Sequence, residues 1–362
     1  MECILQQRTM TTPYVIYESR DSREKLEVKV PLETLLNVED IRKEIGIPEY
    51  VDLTNFQMTK IVAALWAFSH PDTVTQNTNG TPLQVALFGG GAFKLYCPSA
   101  NDGPLSRRIG DVDFVTLREN GKRVVETLCA LGERYGSLFF HGVPEVDKRF
   151  NTLRTGMRYR LRTIRDTDEN GRPVPGLMDI FCDKLTFCHT LDIRTELMDA
   201  DKHLFTIGLE NLILSKAQYI TSVPKYEASS VHPARIMGDY DKKHLLIGME
   251  LKDMRDVSAA LLDHDLGEGP QKISVDVLGE KLRQDWGLWK TVTLSLRNMH
   301  RKLDVIFNSF GAGREDQLVV DERLARIVEQ LEGRYAAKKS VFGLNKQWWE
   351  DVEGQSQQSA HM

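Results

Sequence analysis

The stretch LFGGGAFKLYCPSANDGPLSRRIGDVDFVTL, residues 87–117, decides the fold because it joins three consecutive glycines to two aspartates one residue apart. Before it, LQVALF (83–88) is a short apolar run suited to a buried strand. After the glycines, AFKLY (92–96) has the composition to start a helix. A strand, a glycine turn and a helix N-terminus expose backbone N–H groups that suit a phosphate. Gly89, Gly90 and Gly91 are therefore candidate nucleotide-binding residues. Neither Gly-Lys-Ser/Thr nor Gly-X-Gly-X-X-Gly follows, which excludes the Walker A loop and the dinucleotide fingerprint. Tight turning or close helix–strand packing is the other use of such glycines.

In GDVDFV the side chains of a strand alternate, so Asp111 and Asp113 share one face while Val112 and Phe114 take the other. Two carboxylates side by side repel unless a cation sits between them, and a hard divalent ion such as Mg2+ or Mn2+ fits. A solvated strand end is the bland alternative. Asp179, in GLMDIFCD, interrupts a run that otherwise reads as a buried strand. A charge there is costly without a partner, and a metal shared with Asp111 and Asp113 would supply one. Asp183 follows that strand and reads as a helix cap.

Working outward, PLETLLNVEDIRKEIGI (31–47) reads as a short helix. DLTNFQMTKIVAALWAFSH (52–70) reads as a longer one, with Thr54 as N-cap and Ile61, Leu65 and Phe68 on one face. GKRVVETLCALGERYG is a third helix, and MRYRLRTI and LMDIF flank the turn chemistry of RDTDENGRPVPG. Arg158, Arg160 and Arg162 line one face of the first hairpin strand. Arginine forks suit phosphate, so this row is a candidate triphosphate or RNA contact. A solvated face balanced by nearby acids is the alternative. Beyond residue 200, LENLILSKAQYI, KKHLLIGMELKDMRDVSAALL and two later segments are all helix-like. Trp286, Trp289, Trp348 and Trp349 read as packing residues.

At these motifs the sequence resembles the DNA polymerase β-like nucleotidyltransferase superfamily: a glycine turn, then Asp-X-Asp on the next strand, then a third Asp on a later one. Within it the chain is most similar to the AbiEii/AbiGii-type toxin nucleotidyltransferases. SRRIGDVDF offers the arginine before the aspartate pair, as Arg107 or Arg108. LSKAQY offers the later lysine, Lys216. LKDMRDV offers the Lys-Asp-X-X-Asp element, as Lys252, Asp253 and Asp256. The segment from Gly90 to Asp111 is longer than usual, and CPSANDGPLS reads as an insertion. From the residues alone, Lys216 either snorkels to solvent or reaches an anionic ligand, and Lys252 and Asp256 have the spacing to pair on one helix face.

The resemblance implies an α+β fold, with a polymerase β-like mixed sheet, flanking helices and a helical C-terminal domain. The expected division is an N-terminal extension (1–52), a nucleotidyltransferase core (53–200), a helical domain (201–350) and a flexible tail (351–362). It implies an enzyme that moves a nucleoside monophosphate from an NTP to a hydroxyl acceptor with Mg2+ or Mn2+. Asp111, Asp113 and Asp179 would be the catalytic and metal-binding residues. Gly89–Gly91, Arg108, Lys216 and Lys252 would bind the nucleotide. RNA, at the 3′ end of tRNA, is the implied acceptor and an antitoxin protein the implied partner. A small-molecule or protein acceptor, and a catalytically inactive nucleotide-binding protein, are the alternatives.

Composition narrows this. With 41% hydrophobic and 27% charged residues the chain has the make-up of a globular protein. A net charge of −5 excludes a global basic field, so any nucleic-acid binding must use a local patch. The five cysteines lack zinc-site spacing and read as reduced thiols. No signal layout or long apolar run is present, which points to the cytoplasm and away from membranes.

Overall fold

The computed structural model describes residues 3–4, 14–17, 30–31, 37–75, 81–140, 142–154, 156–198, 205–222, 236–240, 245–338 and 348–349. The expected tail at 351–362 and much of the extension at 1–52 lie outside them. The chain forms two compact units, Met1–Ile47 and Pro48–Met362. The first holds strands β1 (Cys3–Ile4), β2 (Tyr14–Tyr17) and β3 (Val30–Pro31) in an antiparallel sheet, and helix α1 (Val38–Ile45). The side chain of Asn37 caps α1 by accepting from Glu39 N–H, and Gly46 ends it in the left-handed conformation.

The second unit begins with α2 (Phe56–Ser69) and α3 (Pro71–Val74), then β4 (Val85–Phe88), α4 (Gly89–Tyr96), β5 (Val112–Thr116) and α5 (Gly121–Phe139). Strand β6 (Glu145–Val146), α6 (Lys148–Leu153) and the long hairpin of β7 (Arg158–Thr167) and β8 (Pro173–Cys182) follow. These strands make a five-stranded mixed sheet in the order β4-β5-β8-β7-β6, with β5 and β8 parallel and every other pair antiparallel. This is the α+β arrangement expected from the sequence.

Periodicity assigns the two sheet faces. Val112 and Phe114 turn inward, and Phe114 meets Phe68 of α2 edge to face at 5.3 Å. Each fully buried aromatic or aliphatic side chain of this kind contributes about 1.5–3 kcal/mol. Tyr159 of β7 lies on the same face, against Gly121 at the start of α5. Asp113, Asp179 and Arg160 occupy the opposite face. Helix α2 also braces the sheet through polar contacts. Its fully buried Lys60 donates to the Ile164 carbonyl beside the irregularity in β7, and Gln57 donates to the Gly110 carbonyl at 3.3 Å.

Beyond β8 come β9 (Lys184–Thr186), β10 (Thr190–Asp192), α7 (Arg194–Met198) and α8 (Leu209–Lys216). The segment entering α8 hydrogen-bonds along β4: Leu87 N–H donates to the Phe205 carbonyl, and Ile207 N–H to the Leu87 carbonyl. Next are β11 (Tyr219–Ser222), β12 (Ile236–Tyr240) and β13 (Leu245–Glu250), which form a small antiparallel sheet. Helices α9 (Leu251–Asp263), α10 (Val275–Arg283), α11 (Trp286–Arg301), α12 (Leu303–Phe310) and α13 (Arg314–Glu332) complete a largely helical C-terminal region. The helix expected from KKHLLIGMEL starts only at Leu251. The apolar run before it is β13, buried on both faces from Leu246 to Met249, and such a run has no period to separate strand from helix. Thr54 is not the cap of α2; Asn55 is, accepting from Gln57 N–H. Asp183 caps no helix either and accepts from Arg118 N–H.

Cys97, Cys129, Cys182 and Cys188 are free thiols. Among the described residues no helix is long and apolar enough to cross a membrane.

Candidate active site

The three glycines serve three different neighbours. Helix α4 starts at Gly89 itself, with Phe88 as N-cap and no side-chain cap. Gly89 has φ +69°, and a Cβ there would stand 2.8 Å from Asp113 Oδ2. A Cβ on Gly90 would stand 2.5 Å from Arg107 Nη2. A Cβ on Gly91 would strike Ile61 Cδ1 at 2.7 Å, so this glycine permits helix–helix packing and does not face the carboxylates. The turn thus brings the uncapped N-terminus of α4 against a carboxylate and a guanidinium, which answers the question its sequence raises.

Strand register brings the carboxylates together. Asp113 of β5 pairs with Phe88 on one side and directly with Asp179 of β8 on the other. Asp111, just before β5, is exposed. Burial, and then the charges of Asp111 and Asp179, push the Asp113 carboxyl well above the usual carboxylate range. That concentration of negative charge is what a divalent cation would relieve. The pair Asp111 and Asp113 therefore fits a hard metal ion.

Asp179 does not fit that role as it stands. It is almost fully buried, and its partner is a pair of arginines where the sequence suggested a metal. Arg158 Nη2 donates to it at 2.5 Å, while Arg160 donates from Nε at 2.9 Å and from Nη2 at 3.1 Å. Among the described residues no group of three His, Cys, Asp or Glu side chains is arranged around a metal position. The arginine row shares one face, as expected, but its charges are engaged within the chain. Arg162 reaches Asp147 at 3.2 Å. Phe150 of α6 lies over Arg160 and Arg158, 4.1 and 5.4 Å from its ring centre.

A second ionic cluster stands behind the glycine turn. Arg107 binds Asp256 of α9 through Nε at 2.7 Å and Nη2 at 2.6 Å, a fork geometry. Lys216, at the end of α8, binds Asp253 at 2.8 Å and Asp256 at 3.4 Å. Burial alone would raise Asp256, but Arg107 and Lys216 outweigh it and hold the carboxyl below its ordinary range. Likewise burial opposes the Lys216 charge, and Asp253 and Asp256 more than restore it. Lys216 neither snorkels out nor stands alone.

Arg108 and Lys252 lie elsewhere. Arg108 is exposed and pairs with Asp166 at 3.1 Å, leaving Arg107 as the arginine beside the turn. Lys252 is exposed and pairs with Glu250 at 3.0 Å, not with Asp256. The inward placement of Asp256 escaped sequence reasoning. Its signal was a carboxylate among Met254, Val257 and Ala260 on the apolar side of α9. The insertion CPSANDGPLS is braced against the same helix: Ser99 donates from N–H and Oγ to Asp263, and Arg255 donates to the Ser106 carbonyl. Trp289 donates to the Leu331 carbonyl, and Trp286 meets Trp348 edge to face.

No protein-family model and no curated protein matches this sequence. Two crystal structures from Helicobacter pylori are similar in part. A candidate nucleotidyltransferase aligns over 78% of this chain and 97% of its own at 13% identity, with a TM-score of 0.37. The protein JHP933 aligns over 80% of this chain and 96% of its own at 11% identity, with a TM-score of 0.33. Similarity of this extent leaves the functional reading to the chain's own residues.

Proposed function

We propose that this chain is a nucleotidyltransferase, a phosphorus-group transferase that moves a nucleoside monophosphate from an NTP to a hydroxyl acceptor. The observation that carries the reading is the register of Asp113 opposite Asp179, directly beneath the glycine turn. The uncapped N–H groups at the start of α4 donate to triphosphate oxygens. Arg107 and Lys216, held by Asp256 and Asp253 in one buried ionic cluster, fix the Arg107 guanidinium beside that turn. Asp111 and Asp113 are the residues that would hold Mg2+ or Mn2+, which when bound stabilises charge on the phosphate oxygens of an in-line displacement. Asp179 keeps Arg158 and Arg160 on the face where charge develops on the transferred group.

The finer reading rests on motif order: the acceptor is RNA at the 3′ end of tRNA, and the protein is a cytoplasmic toxin or phage-defence enzyme with an antitoxin partner. Lys216 on α8 and Asp253 and Asp256 on α9, which share one ionic cluster, support it. The test uses the purified full chain, Mg2+, each α-labelled NTP in turn and total RNA, with Asp113→Ala alongside. Label entering RNA, and lost in the variant, is the expected result. Label on a small molecule or on protein would move the acceptor to another class. The engagement of Asp179 by two arginines favours one other reading, a nucleotide-binding module without catalysis. Intact NTP binding with no label transferred anywhere would establish it.

A further inference from the structure

The residues between Glu145 and Arg162 concentrate positive charge in a chain that is acidic overall. Six basic side chains stand against two acidic ones, a local excess of four, while the whole chain carries −5. Arg154 has a partner of its own, and the structure divides the other five charges into two sets. Arg158 and Arg160 face inward onto Asp179, and Arg162 is held by Asp147. Lys148 and Arg149, on the first turn of α6, are exposed. Leu153 and Met157, on the same short segment, are 73% and 53% exposed, among the largest exposures of any described apolar side chains.

This segment adjoins the candidate active site. Phe150 of α6 covers the two arginines that hold Asp179, and Asn151 accepts from Arg160 N–H at 2.7 Å. Asp179 in turn is the register neighbour of Asp113. Two strand spacings, roughly 10 Å, thus separate the backbone of Asp113 from that of Arg160 beneath α6. Two exposed cations, Lys148 and Arg149, beside exposed apolar side chains match a short stretch of single-stranded nucleic acid. The cations track its phosphates, and the apolar atoms lie against unstacked bases.

We propose that Lys148, Arg149, Leu153 and Met157, on and just after α6, form the acceptor platform, a surface that binds single-stranded RNA and leads its end to Asp111 and Asp113. The RNA contacts expected of the β7 arginines thereby move one element outward, to Lys148 and Arg149. The proposal rests on the transferase reading for what the platform delivers, not for whether it binds.

The test measures binding of a fluorescein-labelled, unstructured 12-nucleotide RNA to the full chain by anisotropy, in EDTA and without NTP, over a range of salt. The variant Lys148→Gln/Arg149→Gln should bind about 25-fold more weakly at 0.1 M salt, and its log–log salt slope should fall by about 1.4, as two lost phosphate contacts require. Leu153→Ser/Met157→Ser should weaken binding several-fold with the salt slope unchanged. Arg283→Gln/Arg314→Gln, exposed charges on other helices, should bind as the unaltered chain does. Equal affinity and slope in the α6 variant, or no RNA binding at 0.05 M salt, would overturn the platform. So would a poly-glutamate peptide of equal charge that competes as well as unlabelled RNA, since the surface would then suit an acidic protein. A chain that binds RNA but transfers no label keeps the platform and loses the transferase reading. A chain that transfers label to another acceptor, unaffected by the α6 variant, does the reverse.

Discussion

At Gly89 two demands meet in one residue: a left-handed backbone, costing a side-chain-bearing residue about 1–2 kcal/mol, and an empty space where Asp113 Oδ2 lies 2.8 Å from the missing Cβ. Gly103 has φ +76° with nothing within 4 Å of its missing Cβ, so it isolates the first demand from the second. Gly103→Ala should therefore lower the melting temperature by a few degrees, and Gly89→Ala by more, because its methyl group also meets Asp113. Only Gly89→Ala should also cut label transfer, by about 100-fold or more, because it displaces the Asp113 carboxylate. Equal loss of transfer in both would mean that the carboxylate is not what Gly89 protects. Asp256 presents the complementary case of a buried charge that needs its partners. Asp256→Asn leaves Arg107 and Lys216 facing each other without it and should cost about 3–5 kcal/mol in urea unfolding. Pairing it with Arg107→Met should recover part of that loss, since the change removes one stranded cation. A double variant as unstable as the sum of the two single ones would deny the coupling.

At the scale of elements, the cap of α2 is a simple measure of how closely sequence reading locates a boundary. Asn55→Ala should destabilise the chain by about 1 kcal/mol through the lost bond to Gln57 N–H, and Thr54→Ala by less; the reverse order in urea melts would place the cap at Thr54. The one-residue error is typical of helix ends, where adjacent polar residues compete for the same role. The strand–turn–helix around Gly89 and the Asp-X-Asp strand were legible because glycine punctuation and a period of two are local signals. The role of each glycine was not, because Asp113, Arg107 and Ile61 come from three different parts of the chain. The arginine row was read on the correct face, but its partner depended on register: Arg160 of β7 stands opposite Asp179 of β8. Asp256 was misread for a similar reason, since an i,i+4 lysine was visible in the sequence and the distant Arg107 was not. β13 was read as helix because a fully buried strand carries no alternation.

Across the second unit as a whole, the region after residue 200 is joined to the β9–β10 segment by buried contacts as well as by chain order. Cys188, Ile220 and Ile247 form one buried cluster, against which Leu294, Trp348 and Trp349 pack. His189 lies at its edge, 5% exposed, with its ring stacked near that of Trp348. Its Nε2 meets Thr291 Oγ1 at 2.9 Å. The Thr291 hydroxyl already donates to the Gly287 carbonyl, so Nε2 carries the proton and the hydroxyl accepts it. Burial, partly offset by Asp285, pushes the His189 pKa down from 6.5 to about 4. The unfolded chain therefore binds this proton first as pH falls, and the folded chain resists it until near pH 4. Stability from neutral His189 is full above about pH 6.5 and is lost progressively as pH falls through the window to 4, by about 2 kcal/mol between pH 7 and pH 5. His189→Gln, which retains a donor for Thr291 but does not titrate, should lose about that much less over the same interval in urea unfolding. Carboxylates that titrate at lower pH act equally on both proteins and drop out of the comparison. Parallel pH profiles for the two would mean that His189 takes up its proton in the folded state as readily as in the unfolded one. The packing of α11 and the Trp348 segment over it would then admit water, contrary to the buried geometry described above.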